Sequence, residues 1–308
     1  MEVFSRLSEV NGRFAKTAVA LGTFDGVHVG HQQIIRRAAD LARAQAAGCQ
    51  SVVFTFGNHP LAVIAPDRCP PLLATPAHKA ALIAALGADV LLSVAFDRAL
   101  LQLSPDAFIG LLVDNLRPAF VVVGPNYSFG HRGAGTPELL AAAGRRFGFE
   151  VVVHPAVEMG GVLVSSTLIR QLILAGDVAG ASPLLGRPFR IDGTVAPGEG
   201  RGRGLGFPTA NISAAHGQIV PADGVYSVYV YVGDDRYRGV ANVGDNPTFT
   251  GNSHRIEVHL RDFAANLYGK TIAVDFLAKL RDERTFAGEE ELKAQIARDI
   301  AAAEGYYK

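Results

Sequence analysis

The most informative stretch in the first half of the chain is Gly22-Thr-Phe-Asp-Gly-Val-His-Val-Gly-His31. It follows an apolar run at 17–21 and leads into a helical pattern, so it occupies a strand-to-helix turn. Glycines permit positive φ and close backbone approach there, and the free N–H groups of the following helix attract an anion. The segment therefore predicts a nucleotide-phosphate site that includes Gly22, Phe24, Asp25 and Gly30.

Two histidines within this segment are candidate catalytic groups. His28 and His31 are three residues apart, so both imidazoles can lie on one side of the turn if the helix begins there. In a nucleotidyl transfer they would stabilise the charge that develops as pyrophosphate leaves, with no covalent enzyme intermediate. The alternative is a glycine turn with two incidental surface histidines.

The first half alternates between strand and helix patterns. Short β-branched runs are too apolar to alternate cleanly, as is typical of strands buried on both faces; they occupy 17–21, 51–55, 89–94, 119–123 and 150–153. Helix signals lie between them: an apolar stripe ended by Gly48 at its C′ position, and N-caps followed by proline at Ser104-Pro105 and Thr136-Pro137. This order predicts a Rossmann-like, doubly wound parallel α/β sheet with its ligand at the carboxyl ends of the strands.

The pattern changes after Gly176. The segment from Ser182 to Pro188 is typical of a linker, and period-two alternation then appears at 225–232, 256–260 and 272–276. We expect antiparallel strands, each with one buried face, forming a small barrel or sandwich closed by a helix at about 290–303. The predicted domains are residues 1–182 and 189–308, joined by a linker at 183–188.

A glycine-rich loop opens the second domain. It runs from Gly193 to Asn211 and carries Arg201 and Arg203 at its centre; it lacks the glycine-lysine-serine/threonine of the Walker loop. Thr209 and Asn211, two residues apart, offer neutral oxygens to a hard cation such as Mg²⁺ that bridges nucleotide phosphates. A plain linker is the alternative, but a linker would not end in Phe-Pro-Thr-Ala-Asn.

A base is needed to accept the proton of an attacking hydroxyl. Glu257 lies within a strand, on the face opposite Ile256 and Val258. By itself it is more typical of an ordinary exposed strand carboxylate.

Composition restricts the class of protein. The 308 residues are 49% hydrophobic, and 29 basic residues balance 29 acidic ones, which argues against a nucleic-acid partner. Two cysteines in no metal-binding spacing, no signal-peptide pattern and no long apolar stretch predict a soluble cytoplasmic protein without a membrane partner.

The first domain resembles the bacterial FAD synthetases, members of the nucleotidylyltransferase superfamily. HxGH and the fuller GTFDGVHVGH carry the resemblance, with Thr55–Pro60, Gly124–Gly130 and Ser165–Arg170 following in the family's order. The resemblance implies ATP contacts and an FMN pocket. The implied ATP contacts are Asn126, Ser165, Ser166, Thr167 and Arg170; the implied pocket residues are Phe56, His59, Tyr127 and Phe129.

The second domain is similar to the riboflavin kinases over residues 187–286. The matching motifs are GRGLGFPTAN, Pro221–Tyr226, Gly239–Thr248, Ile256–His259, Leu267–Gly269 and Leu280–Phe286. The resemblance implies a six-stranded antiparallel barrel, Mg²⁺ on Thr209 and Asn211, and Glu257 as base for the riboflavin 5′-hydroxyl. Further implied nucleotide and flavin contacts are Gly198, Arg201, Arg203, Pro208, Arg281 and Phe286.

Together these matches imply a bifunctional enzyme that uses ATP to convert riboflavin to FMN and FMN to FAD. An adenylyltransferase for another phosphate ester, such as a coenzyme A or NAD precursor, would explain HxGH but leave the second domain unexplained. A non-catalytic nucleotide- or flavin-binding protein would be expected to lack one of five residues that are all present: His28, His31, Thr209, Asn211 and Glu257.

Overall fold

A computed structural model describes residues 1–45, 48–196, 206–245 and 254–307. The chain divides into two units. Unit 1 comprises Met1–Leu72 and Pro76–Val164, and unit 2 comprises Leu73–Thr75 and Ser165–Lys308. In the described ranges, no helix has both the length and the apolar composition needed to cross a membrane.

Unit 1 is built on a parallel sheet of six strands. They are β1 (Glu2–Phe4), β2 (Lys16–Leu21), β3 (Cys49–Phe56), β4 (Val90–Val94), β5 (Pro118–Val123) and β6 (Glu150–Val153). Their order in the sheet is β1-β4-β3-β2-β5-β6, and every pairing is parallel. The predicted doubly wound architecture is confirmed, with β1 as an edge strand that the sequence patterns did not indicate.

Helices cover both faces of this sheet. They are α1 (Val29–Ala44), α2 (Leu61–Ile64), α3 (Pro76–Ala85), α4 (Arg98–Gln102), α5 (Pro105–Leu116) and α6 (Pro137–Phe147). Alternate strand residues join different cores: Val19 and Leu21 pack with residues of α5 and α6, whereas Ala20 packs with residues of α1 and α3. Both strand faces are therefore apolar, which is why these strands do not alternate in sequence.

The predicted helix starts are confirmed, and one predicted helix end is wrong. The hydroxyls of Ser104 and Thr136 accept hydrogen bonds from the backbone N–H groups of Ala107 and Leu139. Gly48 is not the C′ residue of α1, because the backbone is already extended at the C-cap residue Gln45 (φ −80°, ψ 159°). Gly48 instead takes a left-handed conformation (φ 104°) directly before β3.

Short elements connect the sheet to the barrel in sequence. The hairpin β7 (Glu158–Met159) and β8 (Val162–Leu163) precedes helices α7 (Ser166–Leu174) and α8 (Val178–Leu185). The predicted linker at 183–188 thus begins inside the last turn of α8, which ends at Gly186 in a left-handed conformation. The domain boundaries at 182 and 189 stay a prediction.

Unit 2 contains a closed antiparallel barrel of six strands. They are β9 (Phe189–Ala196), β10 (Thr209–Ala214), β11 (Gly224–Val232), β12 (Asp235–Asp245), β13 (His254–Leu260) and β14 (Thr271–Arg281), in the order β10-β13-β12-β11-β14-β9. The terminal helix α9 (Glu289–Ala303) follows. Both the barrel and the helix are confirmed.

The strand β11 differs from expectation in having two buried faces. Val228 and Val230 are fully buried, but Tyr229 on the opposite face is only 8% exposed. The ring of Tyr307, after α9, lies 5.5 Å from that of Tyr229, so the C-terminus covers the outer face of this strand. The alternation correctly indicated the antiparallel pairing, whereas the covering of the second face depends on a segment distant in sequence.

Candidate functional site

The turn from Gly22 to His31 lies at the switch point of the parallel sheet. From β2 the chain builds outward through β3 and β4, then crosses back to place β5 on the other side of β2. In open α/β sheets, ligands bind beyond the carboxyl ends of the strands at such a reversal. The turn after β2 and the Gly124–Gly130 segment after β5 are therefore the two loops that border the expected site.

Backbone strain is concentrated in this turn. Phe24 (φ 48°) and Val27 (φ 41°) both adopt the left-handed conformation, and Gly26 (φ 74°) lies between them. A β-branched residue with positive φ is a genuine outlier, and such residues cost about 1–3 kcal/mol each unless the surroundings hold them. All three are buried, so packing maintains a conformation that the sequence would not adopt locally.

The two histidines come together as the sequence predicts. Their rings stack with centroids 3.5 Å apart and planes inclined by 20°, and the edge of Phe24 packs on His31 at 5.3 Å. His28 is the N-cap of α1: its Nδ1 accepts the backbone N–H of His31 at 3.3 Å. Because Nδ1 acts as the acceptor, the ring hydrogen of neutral His28 lies on Nε2.

The imidazole of His31 is held in its neutral form. Burial lowers its pKa well below 6.5, and electrostatic interactions with His28 and Lys79 lower it further. Its Nδ1 is buried without a hydrogen-bond partner among the described residues. Buried polar atoms are normally hydrogen-bonded, so this Nδ1, at the carboxyl ends of the strands, is a candidate to bind a ligand atom.

The glycines of the turn are required by close packing. A Cβ on Gly22 would lie 2.8 Å from the ring of Phe24, and one on Gly30 would lie 3.2 Å from the ring of His28. Asp25 is buried at 6% exposure. Gly22 thus packs on Phe24, Gly30 on His28, and Phe24 itself on His31.

Three of the four predicted pocket residues join one aromatic cluster. Tyr127 stacks on Phe129 at 5.7 Å, and Phe129 and Phe56 belong with Tyr127 to the same core on one face of the sheet. Burial raises the pKa of the Tyr127 phenol, which stays neutral. His59, the fourth, accepts the N–H of Leu61, the first residue of α2, through Nδ1. Phe56 is the last residue of β3, and Tyr127 and Phe129 follow the end of β5.

The predicted ATP contacts have different structural settings. Asn126 is exposed in the turn after β5. Ser165 is the N-cap of α7, accepting the N–H of Leu168, and Ser166 and Thr167 begin that helix. Arg170 is buried at 8% exposure. The residues of α7 belong to unit 2, and their contact with a nucleotide stays a prediction.

The candidate kinase residues lie side by side on the barrel. Asn211 on β10 pairs directly with Glu257 on β13, which pairs directly with Asn242 on β12. Thr209 precedes Asn211 by two residues and so shares its face of the strand. Ile256 and Val258 are fully buried on the other face, as the alternation predicts. The barrel thus presents two neutral oxygens and one carboxylate together.

Arg255 connects two of these groups. Its Nε donates to Asn211 Oδ1 at 2.8 Å, and its guanidinium forms an ion pair with Glu257. His259, two residues after Glu257, lies with Nδ1 2.9 Å from the carbonyl oxygen of Pro208. Because a carbonyl oxygen can only accept, Nδ1 is the donor of this hydrogen bond. These contacts orient the predicted metal ligand and the predicted base.

Arg281 and Phe286, the residues expected to contact the flavin, interact with other side chains of the protein. Arg281 forms a bidentate ion pair with Asp299 of α9, at 3.0 and 2.8 Å, and Asp299 is only 5% exposed. The guanidinium of Arg284 lies over the ring of Phe286 at 4.7 Å. A flavin contact for Arg281 and Phe286 stays a prediction. Gly198, Arg201 and Arg203 lie outside the described residues.

Sequence reasoning missed three residues at these sites. Lys79 of α3 is buried beside the histidines; its only signal was a lysine four residues before Ile83 on an apolar helix face. Arg255 and Asn242 lie in or next to quoted motifs, but their roles follow from strand register, which the sequence does not show.

Comparisons with known proteins match two different families to the two parts of the chain. The family model for FAD synthetase matches residues 11–168, and that for riboflavin kinase matches residues 185–307. Bifunctional riboflavin kinase/FMN adenylyltransferases are similar over nearly their whole length. The Escherichia coli K12 protein is 40% identical, covering 94% of this chain and 92% of its own; the Bacillus subtilis protein is 38% identical, covering 95% and 93%.

A solved structure has the same fold over almost the full chain. It is described as a macrolide-efflux protein from Streptococcus pneumoniae, is 33% identical, and covers 99% of each chain with a TM-score of 0.90. The likeness therefore includes both the parallel sheet and the barrel.

Proposed function

The chain belongs to the bifunctional riboflavin kinase/FMN adenylyltransferase family, and from this premise we propose which residues carry each reaction. The chain phosphorylates riboflavin to FMN with ATP and transfers an adenylyl group from ATP to FMN, giving FAD and pyrophosphate. The FAD synthetase match lies in the N-terminal part and the riboflavin kinase match in the C-terminal part.

In adenylyl transfer, an FMN phosphate oxygen attacks the α-phosphorus of ATP and the bond to pyrophosphate breaks. His28 donates from Nε2 to the phosphate oxygens, since its Nδ1 is occupied by the cap of α1. Neutral His31 stacks on it and limits its rotation. The N-terminus of α1 adds its N–H groups, so charge that develops on the leaving group meets donors already in place.

The aromatic cluster of Phe56, Tyr127 and Phe129 is the proposed surface for the FMN ring. Phe56 ends β3, and Tyr127 and Phe129 follow β5; these strands flank β2, which leads into the histidine turn, and aromatic rings suit contact with an isoalloxazine. Asn126, at the exposed end of the same loop, is proposed to contact ATP, together with Ser165, Ser166, Thr167 and Arg170.

In riboflavin phosphorylation, the proposed base is Glu257. The carboxylate accepts the proton of the riboflavin 5′-hydroxyl, whose oxygen attacks the γ-phosphorus of ATP as ADP leaves. Arg255 and the neighbouring strands hold this carboxylate beside Asn211. Gly198, Arg201, Arg203 and Pro208 are proposed nucleotide-loop contacts; Arg281 and Phe286 are proposed to lie near the flavin.

The donors on β10 fit a magnesium ion. Thr209 and Asn211 offer uncharged oxygens on one face, and the described residues contain no cluster of three or more His, Cys, Asp or Glu side chains that would form a complete protein cage. A site with few protein ligands suits Mg²⁺, which keeps waters and binds nucleotide phosphates. When bound, the ion would neutralise the charge of the transferring phosphate.

Apart from Mg²⁺, the proposed ligands are the small molecules riboflavin, FMN and ATP. Cys49 and Cys69 are unpaired thiols, as is usual in a reducing compartment, and we propose a cytoplasmic location without a nucleic-acid or membrane partner.

The observation that carries the adenylyl-transfer assignment is the stacked histidine pair with its fixed tautomer. Purified protein given riboflavin, ATP and Mg²⁺ should form FMN and then FAD, separated by chromatography. His28→Ala should abolish FAD formation from FMN and leave FMN formation intact. His28→Asn retains an N-cap acceptor but lacks the Nε2 donor, so it should be equally inactive in FAD formation.

Glu257→Ala should show the reverse, losing FMN formation while still converting supplied FMN to FAD. His216→Ala and Glu290→Ala, at exposed positions, serve as matched controls with both activities retained. Failure of the wild-type protein to form either flavin would refute the assignment.

A further inference from the structure

Lys79 is a buried cation whose role the two reactions above leave unexplained. Its side chain is 8% exposed on α3, and Nζ donates to the carbonyl oxygen of Phe56 at 2.6 Å. Nζ also lies 3.5 Å from the carbonyl oxygen of Thr23. Phe56 ends β3, and Thr23 follows the end of β2 by two residues. One ammonium group therefore joins the carboxyl ends of two neighbouring central strands.

A lysine at this position is unfavourable for folding alone. Burial lowers its pKa to about 8, and the attraction of Asp25 offsets only part of that effect. The neighbouring position on the same helix face holds fully buried Ile83, so an apolar side chain would suit the packing. A charged residue on a helix face that otherwise buries apolar side chains is expected mainly at functional sites.

The two carbonyl groups show what the ammonium holds. Thr23 immediately precedes the left-handed Phe24, with which the strained turn begins. The Thr23 oxygen also accepts a hydrogen bond from Thr55 Oγ1 at 2.9 Å. Strained backbone persists only where several contacts determine it together. Lys79 and Thr55 supply such contacts at the entrance to the turn.

We propose that Lys79 is a positioning residue for adenylyl transfer, which holds the ends of β2 and β3 so that the turn presents His28 and His31 to the nucleotide. The proposal rests on the roles assigned above to the two histidines. The ammonium supports one of them in a second way, because its charge lowers the pKa of His31 and so favours the neutral ring.

The test compares variants of the full chain in FAD formation from FMN, ATP and Mg²⁺. Lys79→Met keeps the length of the side chain but loses the donor and the charge. Its kcat should fall about 10- to 100-fold, because small misplacements of groups around the reacting centre have effects of this size. KM for FMN should change by less than about threefold, since the flavin surface is untouched.

Two further variants separate positioning from general damage. Lys79→Arg retains charge and donors and should recover most of the kcat lost in Lys79→Met. Lys16→Met, at the opposite end of β2, removes the only other lysine of unit 1 and should behave as wild type. Riboflavin phosphorylation should be unchanged in all three, which gives an internal activity control in each preparation.

A physical readout follows the turn itself. The His31 backbone N–H, which donates to His28 Nδ1, should exchange with solvent faster in Lys79→Met than in Lys16→Met. Wild-type kcat per folded molecule in Lys79→Met overturns the proposal, as does an equal loss in the methionine and arginine variants. If wild-type protein forms no FAD, the assigned reaction itself fails, and the two failures are thus distinguishable.

Discussion

Replacing Lys79 by methionine removes an ammonium group from the interior of unit 1. The effect on the free energy of unfolding follows from the lowered pKa of this buried lysine. Burial lowers the lysine pKa from 10.5 to about 8, with Asp25 acting in the opposite direction. A pKa difference of one corresponds to about 1.4 kcal/mol, so burying the charged form destabilises the folded state by about 3 kcal/mol. The lost hydrogen bond to the Phe56 carbonyl offsets about 1 kcal/mol of this. The methionine variant should therefore be more stable by about 2 kcal/mol at pH 7.

The sign of the pH dependence follows from linkage. A lysine whose folded pKa is lowered destabilises the protein fully below that pKa, and the penalty declines as pH rises from about 8 towards 10.5. Between pH 7 and pH 9 the advantage of Lys79→Met should shrink by about 1 kcal/mol. His31, whose pKa this charge lowers, is already neutral over that range.

The assay is urea unfolding of the full chain at pH 7, 8 and 9, followed by circular dichroism at 222 nm. Loss of kinase activity in the same titration marks the unfolding of unit 2, so the transition of unit 1 can be identified. Lys16→Met is the control and should show no pH-dependent difference from wild type. A stability difference between Lys79→Met and wild type that is constant from pH 7 to pH 9 would refute the burial of a charged lysine.

Two other substitutions test the packing of each unit. Gly22→Ala should reduce FAD formation about tenfold or more without affecting the kinase, because its Cβ would lie 2.8 Å from the Phe24 ring and displace it; Gly110→Ala, with open space around its Cβ, should be neutral in the same assay. Asp299→Asn removes the charge from a buried ion pair and should destabilise unit 2 by about 3 kcal/mol in thermal or urea unfolding. Asp282→Asn breaks an exposed ion pair and should leave the stability of unit 2 nearly unchanged; equal effects of the two aspartate substitutions would contradict the assigned burial.

Local patterns were sufficient for much of the architecture. Apolar runs without alternation indicated strands covered on both faces, and Ser104 and Thr136 marked helix starts through side-chain oxygens that cap the next turn. Such signals arise within a few residues and are therefore readable in sequence. The end of α1 was misjudged because Gln45, an ordinary residue, leaves the helix before the glycine that would usually mark its end.

Residue patterns alone indicated two candidate sites: a glycine turn with His28 and His31 after a buried strand, and Thr209 and Asn211 two residues apart after a glycine-rich loop. The spacing within each pair follows from helix and strand periods, which depend on the backbone alone. The role of Glu257 as a base was implied by the resemblance to riboflavin kinases. Three features became evident from the folded structure alone: the imidazoles stack with Nδ1 of His28 as acceptor, Asn242 lies beside Glu257, and Lys79 reaches the histidine turn. These contacts join segments far apart in sequence, and they depend on strand order, register and burial, which no local pattern contains.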